Sequence, residues 1–424
     1  MQRRRFLLGS SLAVGGLALS PPLFAKAGKS ARVVVVGGGF GGATCAKYLK
    51  RFDPRLSVTL VVAAKQYTTC PFSNLVVAGL QELDGLNQHY KKLSAKYAIH
   101  IVRDWVKEID ANKKIIKLKD AKPLSYDRLI LSPGIDFKWD AIENYTAATS
   151  TIMPHAWQAG SQTLLLRKQL QAMPDGGLVI MAVPGDPFRC PPGPYERAGL
   201  IAHYLKLHKP KSKILILDTK EEFSKKNLFV QAWQQLYPGM IEWVRGSEGG
   251  KVVSVDVKEM SVTTDQMQTH KAQVINVIPP QQAGSLVVHQ NLADNTGWSP
   301  VNPMSFESSL QKSIHVIGDA CMAGKMPKSA FAANNQAKVC AAAVVALLKG
   351  QALPVPTFTN TCYSLVAPDY AISIAKVYRA TEQGIVGVEG SGGNSPENES
   401  LAFRNLEARY ARAWYTSMVN DSFS

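Results

Sequence analysis

Val33-Val34-Val35-Val36-Gly37-Gly38-Gly39-Phe40-Gly41-Gly42 is the stretch that decides the fold. Four successive valines predict a buried strand, the glycines a tight turn, and Ala43–Arg51 a helix. Gly37, Gly39 and Gly42 stand at G-x-G-x-x-G spacing between that strand and that helix, the context a dinucleotide-binding fingerprint requires. Glycines there let the backbone approach a ligand closely, so that a pyrophosphate can sit on the helix N-terminus. The second strand, Val58–Val62, should close on an acidic residue that holds the ribose hydroxyls. Val62 stands there instead, followed by Ala63 and Ala64, so a bound nucleotide needs other anchors.

Two later strands complete this lobe. Leu129-Ile130-Leu131 leaves through Ser132-Pro133-Gly134, and Ile314–Ile317 ends in Gly318-Asp319. An alanine-rich helix over 327–349 follows, its N-terminus directed at the ligand. Residues 144–284 read as a second α/β unit, with buried strands Leu178–Val183 and Lys213–Asp218 and helices over 156–173 and 195–208. The loop after its first strand, Pro184-Gly185-Asp186-Pro187-Phe188-Arg189-Cys190, carries no glycine fingerprint. Prolines present no N–H to a pyrophosphate, so NAD(P)H is not expected there and electrons must enter by another route. From Pro354 onward come a β-rich stretch (Ile372–Tyr378), a loop of disordered composition (Gly390–Glu399) and an aromatic amphipathic helix near Asn405–Met418. The expected class is α/β: two Rossmann-like dinucleotide-binding domains, one discontinuous (28–143 and 285–353) and one at 144–284, plus a C-terminal α+β domain at 354–424.

Residues 1–27 read as an export address. Arg3-Arg4-Arg5 precedes an apolar run broken by Gly9, Gly15 and Gly16, and Ala25-Lys26-Ala27 offers a small-x-small cleavage site. A twin-arginine leader implies export of a folded protein to the periplasm; an uncleaved anchor is the alternative. Losing Arg3, Arg4, Arg5 and Lys26 with the leader lowers the formal charge from +16 to +12. No basic motif interleaved with aromatics points to nucleic acid, and no integral membrane segment is expected in the mature chain. A basic surface steers acidic proteins and small anions. The cluster His208-Lys209-Pro210-Lys211-Ser212-Lys213 reads as a solvated turn.

The six cysteines (Cys45, Cys70, Cys190, Cys321, Cys340 and Cys362) form no Cys-x-x-Cys and no cluster with metal-ligand spacing, so no metal site is expected. Cys190 lies in a proline-stiffened loop at a parallel strand's carboxyl end, where open α/β sheets bind ligands. Cys45 and Cys340 fall on apolar helix positions and read as core thiols. Cys321 follows Gly318-Asp319-Ala320, and its reading is packing, with a third redox thiol as the alternative.

Several motifs resemble those of the flavoprotein subunit of flavocytochrome c sulfide dehydrogenase. They are Val33–Lys50, Tyr67-Thr68-Thr69-Cys70-Pro71-Phe72-Ser73-Asn74, Pro187–Arg197, Phe306–Asp319, Met326-Pro327-Lys328-Ser329, Asn360-Thr361-Cys362-Tyr363-Ser364 and Trp414-Tyr415. The resemblance implies a glutathione-reductase-like fold, with sulfide:quinone reductases as relatives, and FAD as cofactor. It implies that Cys70 forms a thioether to the flavin, which would offset the lost ribose carboxylate, and that Asp319, after Gly318, receives the ribityl hydroxyls. It pairs Cys190 with Cys362 as a redox-active disulfide attacked by hydrosulfide, and places Glu196 as an acid–base group and Trp414 beside the flavin. The bland alternatives are a stapling bridge, a helix-terminal carboxylate and a core tryptophan. Such a bridge, closing about 172 positions, would stabilise by about 5 kcal/mol through chain entropy. The electrons would pass through FAD to a separate c-type cytochrome, since the chain has no Cys-x-x-Cys-His. Two other readings compete: a sulfide:quinone reductase-like enzyme, and a flavin-bound electron-transfer subunit with no sulfide turnover. The charged C-terminal helix, with Arg404, Glu407, Arg409 and Arg412, argues against lipid insertion.

Overall fold

Strand Arg32–Val36 is the middle of a five-stranded parallel sheet in the order Ile314–Val316, Arg128–Leu131, Arg32–Val36, Ser57–Val62, His100–Arg103. The structure is a computed structural model and describes residues 30–424. The expected leader at 1–27 lies outside the described residues. Both faces of the sheet are covered, which is why its strands read as unbroken apolar runs. Val33, Val35 and Leu129 to Leu131 are fully buried.

The opening helix spans Phe40–Phe52 with Gly39 at its N-cap. Gly37 has φ +102°, and a Cβ there would lie 2.2 Å from the carbonyl oxygen of Ser132 on the neighbouring strand's exit. A Cβ on Gly42 would lie 1.8 Å from the carbonyl oxygen of Gly37. Close backbone approach, more than turn flexibility, fixes these two residues as glycine. Helix Ala330–Leu348 packs along the opening helix through small side chains. Cys45 and Cys340 meet there, fully buried and hydrogen-bonded to one another. Ala330–Leu348 is long and apolar enough to cross a membrane, but most of it is buried inside the fold as a core helix.

A second parallel sheet has the order Ile241–Val244, Lys213–Asp218, Leu178–Val183, Val274–Val277. It is joined to the first through an antiparallel pairing of Ile135–Phe137 with Gln281–Ala283. Helix Gly193–His208 crosses from Leu178–Val183 to Lys213–Asp218. The C-terminal part is a long hairpin, Thr357–Ala367 against Tyr370–Thr381, extended by Gly384–Gly387 and backed by helix Leu401–Phe423. Strand Thr357–Ala367 packs on both the Gly193–His208 and Ala330–Leu348 helices, which brings the third element to the junction of the two sheets.

Two expectations from composition are corrected. The loop Gly390–Glu399 is ordered: Gly393–Asn394 pairs with the hairpin, and Glu397 and Asn398 bond to Asn227 and Gln231. The 208–213 cluster is not all solvated, because Lys209 is buried and its ammonium caps the carbonyls of Gln171 and Met173. In the C-terminal helix, Arg404 and Glu407 form a buried ion pair of 2.9 Å.

Gly42→Ala is expected to destabilise the protein by about 2 kcal/mol or more through backbone collision. Gly393→Ala, where nothing lies within 4 Å of the added carbon, should change stability by less than about 0.5 kcal/mol. Chemical denaturation of the two variants side by side measures the contrast.

Candidate functional site

The carboxyl ends of the first sheet open into a cavity of about 780 Å³, large enough for a dinucleotide. Gly37, Gly38 and Gly39 form one wall, with Ser132-Pro133-Gly134 and Gly318-Asp319 beside them. The first-turn N–H groups of the Phe40 helix have no intrahelical acceptors and, by helix geometry, point at this wall. Past the turn the lining is Val62, Ala63, Ala64, Asp104 and Trp105. The Asp104 carboxylate does not replace the missing acid. It accepts the backbone N–H groups of Trp105, Asp120 and Ala121 at 2.7–2.9 Å. Trp105, 65% exposed, offers a bare ring at this end instead.

The far part of the cavity gathers residues from every part of the fold. Cys70 comes from the segment before helix Ser73–Val77, Cys190 and Glu196 from the second sheet's first crossover, Cys362 from the hairpin and Trp414 from the last helix. Cys190 has φ +58°. Its N–H donates to the Lys328 carbonyl at 2.8 Å, and its own carbonyl accepts the N–H of Gly193 at 2.8 Å. A β-branched or bulky residue would resist this left-handed conformation. All six cysteines are free thiols in this structure. Cys190 and Cys362 open onto the cavity and are otherwise enclosed. Burial pushes the Cys190 thiol well up, with Cys362 and Glu196 adding to it. Burial also raises Cys362, opposed by the ammonium of Lys225.

Glu196 occupies the first turn of its helix, nearly buried. Desolvation raises its carboxyl to about 7, against the opposing pull of Lys225, the Leu365 N–H and Arg197. It is both a helix-terminal carboxylate and a group poised to exchange protons near neutrality. Trp414 lines the cavity, stacked against Phe331 and tilted to Tyr363. Cys321 does not line the large cavity's wall with them. It is buried under Gly318, its thiol donating to the Gly318 carbonyl at 3.3 Å and pushed up to about 12 by burial.

Four contributors carry no functional signal in the sequence alone. Lys225 sits in Glu221-Glu222-Phe223-Ser224-Lys225-Lys226, which looks like a solvated helix start, yet it is buried. Arg197 is buried as well, with hydrogen bonds to Asn74, His155, Ala156 and Asn276 of 2.5–3.0 Å. A charged residue amid Tyr195, Ala198 and Leu200 is the available clue. Arg189 acts on Cys70, Asp319, Tyr67 and Cys190 at once. Trp105, the fourth, is an ordinary aromatic in a strand-rich stretch until the fold sets its ring at the cavity's mouth.

At the second sheet the corresponding acid is engaged inside the protein. Asp218, at the end of Lys213–Asp218, is fully buried and accepts the Tyr195 hydroxyl, the Trp243 indole N–H at 3.0 Å and the Lys220 ammonium at 2.6 Å. Tyr195 stacks on Phe223 at 3.6 Å, and Phe188 is buried beneath Lys220. Tyr195, Trp243 and Lys220 occupy the acid that a dinucleotide-binding unit would offer to a ribose.

FAD fits the first cavity by more than its size. Asp319 Oδ1 and the indole nitrogens of Trp157 and Trp414 are buried without partners, and all three residues line the wall. Buried polar atoms rarely go unpaired, and a ligand carrying hydroxyls and ring acceptors would pair them.

Several segments of the chain match known proteins. Residues 163–279 match the family described as sulfide dehydrogenase [flavocytochrome c] flavoprotein chain, central, and residues 354–423 the flavocytochrome c sulphide dehydrogenase, flavin-binding family. Residues 31–152 match pyridine nucleotide-disulphide oxidoreductases. The sulfide dehydrogenase [flavocytochrome c] flavoprotein chain of Chlorobaculum thiosulfatiphilum is 67% identical over 45 residues, 11% of this chain and 94% of that sequence. The mitochondrial sulfide:quinone oxidoreductase of Dictyostelium discoideum is 25% identical over 321 residues, 73% of this chain and 69% of the relative. Among solved structures, the sulfide:quinone oxidoreductase of Aquifex aeolicus superposes with a TM-score of 0.70 at 16% identity, covering 92% of each chain. Putidaredoxin reductase in its covalent putidaredoxin complex gives 0.65 at 15% identity, covering 90% of this chain and 93% of that one. At such identities the superpositions establish the fold.

Because the folded Glu196 carboxyl titrates near 7 rather than 4.5, it favours folding below its unfolded value. That advantage is lost as pH rises toward 7. Above this, the buried charge costs up to about 3 kcal/mol relative to a neutral group. Glu196→Gln should therefore melt higher than the wild type at pH 8 and alongside it at pH 4. Thermal scans at the two pH values check this, and an equal offset at both would refute it.

Proposed function

The chain belongs to the flavocytochrome c sulfide dehydrogenase flavoprotein family, and on that footing we propose that it is an FAD-dependent oxidoreductase that oxidises sulfide through a Cys190–Cys362 disulfide and passes the electrons to a separate c-type cytochrome. One observation carries the reading. Two cysteines 172 positions apart open onto the same enclosed cavity as the glycine turn, beside a carboxyl that titrates near neutrality.

The bridge, when formed, presents two sulfurs to a hydrosulfide ion entering the cavity. Attack forms a new S–S bond to one of them and breaks the Cys190–Cys362 bond, so that cysteine becomes a persulfide and the other a thiolate. Glu196 accepts the persulfide proton, and a second hydrosulfide takes the outer sulfur away as a disulfane anion, leaving both cysteines reduced. Arg189, whose charge acts on both Cys70 and Cys190, attracts the anionic substrate and keeps negative charge tolerable in an enclosed space. FAD held by the glycine turn and Asp319 supplies a two-electron acceptor that can hand electrons on singly. Cys70 is positioned in the same wall, and a thioether there would retain the cofactor where Val62 offers no ribose carboxylate.

The cytochrome is favoured as acceptor by the two matching family regions and the 67%-identical relative. Sulfide:quinone oxidoreductases matched over most of the chain support quinone as the second reading. The twin-arginine pattern at Arg3-Arg4-Arg5 supports periplasmic residence, and a basic mature surface suits an acidic redox partner.

Anaerobic sulfide titration, followed by flavin absorbance, tests the mechanism. Wild type should bleach, and Cys190→Ser and Cys362→Ser should each bleach at least about a hundredfold more slowly; equal bleaching rules the disulfide route out. Reoxidation of the bleached protein by cytochrome c or by a soluble quinone then identifies the acceptor. Acid precipitation tests Cys70 separately: wild type should carry its yellow colour into the pellet and Cys70→Ser should release it.

A further inference from the structure

Lys225 is a buried lysine without an assigned role, and its surroundings are unusual. It stands at the N-cap of helix Lys226–Leu236 with φ +64°, a left-handed conformation that a lysine adopts only when neighbours impose it. Its ammonium donates to the Ser364 hydroxyl at 2.8 Å and reaches the Cys362 carbonyl at 3.4 Å. Both acceptors are neutral. The strand from Cys362 to Ser364 keeps unbroken register with its partner, Cys362 opposite Ile374 and Ser364 opposite Ile372. Residues two apart on a strand project from one face. The Cys362 thiol therefore leaves the strand on the face that Lys225 grips through Ser364.

We propose that Lys225 is a positioning residue for the redox pair: its ammonium holds the negative charge that develops on the Cys362 side chain when the Cys190–Cys362 bond opens. The inference rests on the proposed role of that pair. If hydrosulfide attacks Cys190, the bond to Cys362 breaks and Cys362 leaves as a thiolate. If it attacks Cys362, the Cys190 thiolate leaves and the persulfide on Cys362 becomes anionic once its proton passes to Glu196. In either case one more anion appears beside Lys225, and the electron count of the step is unchanged.

Other charges face the same point. Cys362, Glu196, Cys190 and Glu407 all act on Lys225, in that order of strength. Glu407 is already paired with Arg404 at 2.9 Å. Arg197 and Arg189 also act on Glu196 and Cys190 respectively. With the bridge closed, Glu196 is the carboxyl that acts most strongly on Lys225; with it open, Glu196 and the sulfur compete for one ammonium. The competition gives a reason for Glu196 to gain a proton as the sulfur gains charge, and it links the acid–base group to the bond that breaks.

The test uses the reduced, flavin-loaded protein and needs no sulfide. Iodoacetamide is applied from pH 5 to 10, and peptide mass spectrometry reads the alkylation rates of Cys362 and Cys190 separately. Lys225→Met and Lys225→Gln, the second of which keeps a donor for Ser364, should shift the Cys362 profile upward by about one pH unit, a tenfold loss of rate on its rising limb. The Cys190 profile should move less, and Lys225→Arg should restore most of the Cys362 shift. Glu196→Gln should move the Cys362 profile downward, giving a second arm should the neutral lysine variants fail to fold. An unmoved Cys362 profile in either folded neutral variant, or in Glu196→Gln, overturns the proposal. A shifted profile in a protein that sulfide never bleaches would instead overturn the sulfide reading and leave Lys225 as the thiol's counter-charge.

Discussion

The guanidinium of Arg197 is the contact on which the site's assembly depends. A buried cation is tolerated only when fixed oxygens replace its water. Here those oxygens come from Asn74, just past Cys70, from the carbonyls of His155 and Ala156, and from Asn276 on the second sheet. The indole of Trp157 covers one face at 4.9 Å. Arg197 itself lies one residue after Glu196 and seven after Cys190. Satisfying one charge therefore draws the Cys70 segment, the cavity wall and the helix that follows Cys190 into one place. Removing it would leave the side-chain oxygens of Asn74 and Asn276 and the Ala156 carbonyl short of a donor, with the cost of unpaired buried groups added to the lost packing.

Around this clamp the charges alternate. Arg189, Arg197, Lys225 and Lys328 face Glu196, Asp319 and the thiols. Neutral groups hold these cations as well as anions do: Lys328 takes the carbonyls of Asp319 and Cys321 and lies 3.7 Å over the Trp298 ring. Positive charge is thus fixed before any anionic sulfur arrives, and nothing needs to reorganise when charge develops. The same burial that keeps the resting thiols protonated makes these cations effective once a thiolate is forced upon the site.

What was legible in the sequence was local. A run of valines meeting three spaced glycines specifies strand, turn and helix within ten residues, and Gly318-Asp319 announces itself by ending an apolar strand. The cysteines were legible as types, and pairing Cys190 with Cys362 needed the family resemblance, because thiols brought to one cavity from 172 positions apart leave no periodic trace. Lys225 was invisible for a different reason: its burial is imposed by the hairpin that packs over it, and its own neighbours in sequence are polar. Gly390–Glu399 misled in the opposite sense. Its composition is that of a loop, but hydrogen bonds from Asn227, Gln231 and the hairpin order it. Asn227 and Gln231 lie far from it in sequence, where no local pattern could announce them.

The second sheet shows how one domain plan is turned to sulfur chemistry. In a dinucleotide-binding unit the turn after the first strand presents glycine N–H groups, and an acid at the end of the second strand holds a ribose. Here the turn is Pro184 to Cys190, and the acid, Asp218, is occupied inside the protein by Tyr195, Trp243 and Lys220. Lys220 also donates to the Pro184 carbonyl at 3.0 Å and lies over the buried Phe188 ring, which ties the loop to that strand end. Its next residues are then delivered past the sheet edge: Arg189 N–H is tied to Gln281 at 2.9 Å and Cys190 N–H to Lys328 at 2.8 Å. Both anchors are fixed elements of the first cavity's surroundings. The engaged acid and the placed thiol are therefore linked, since the ammonium that occupies Asp218 also holds the loop that leads to Cys190.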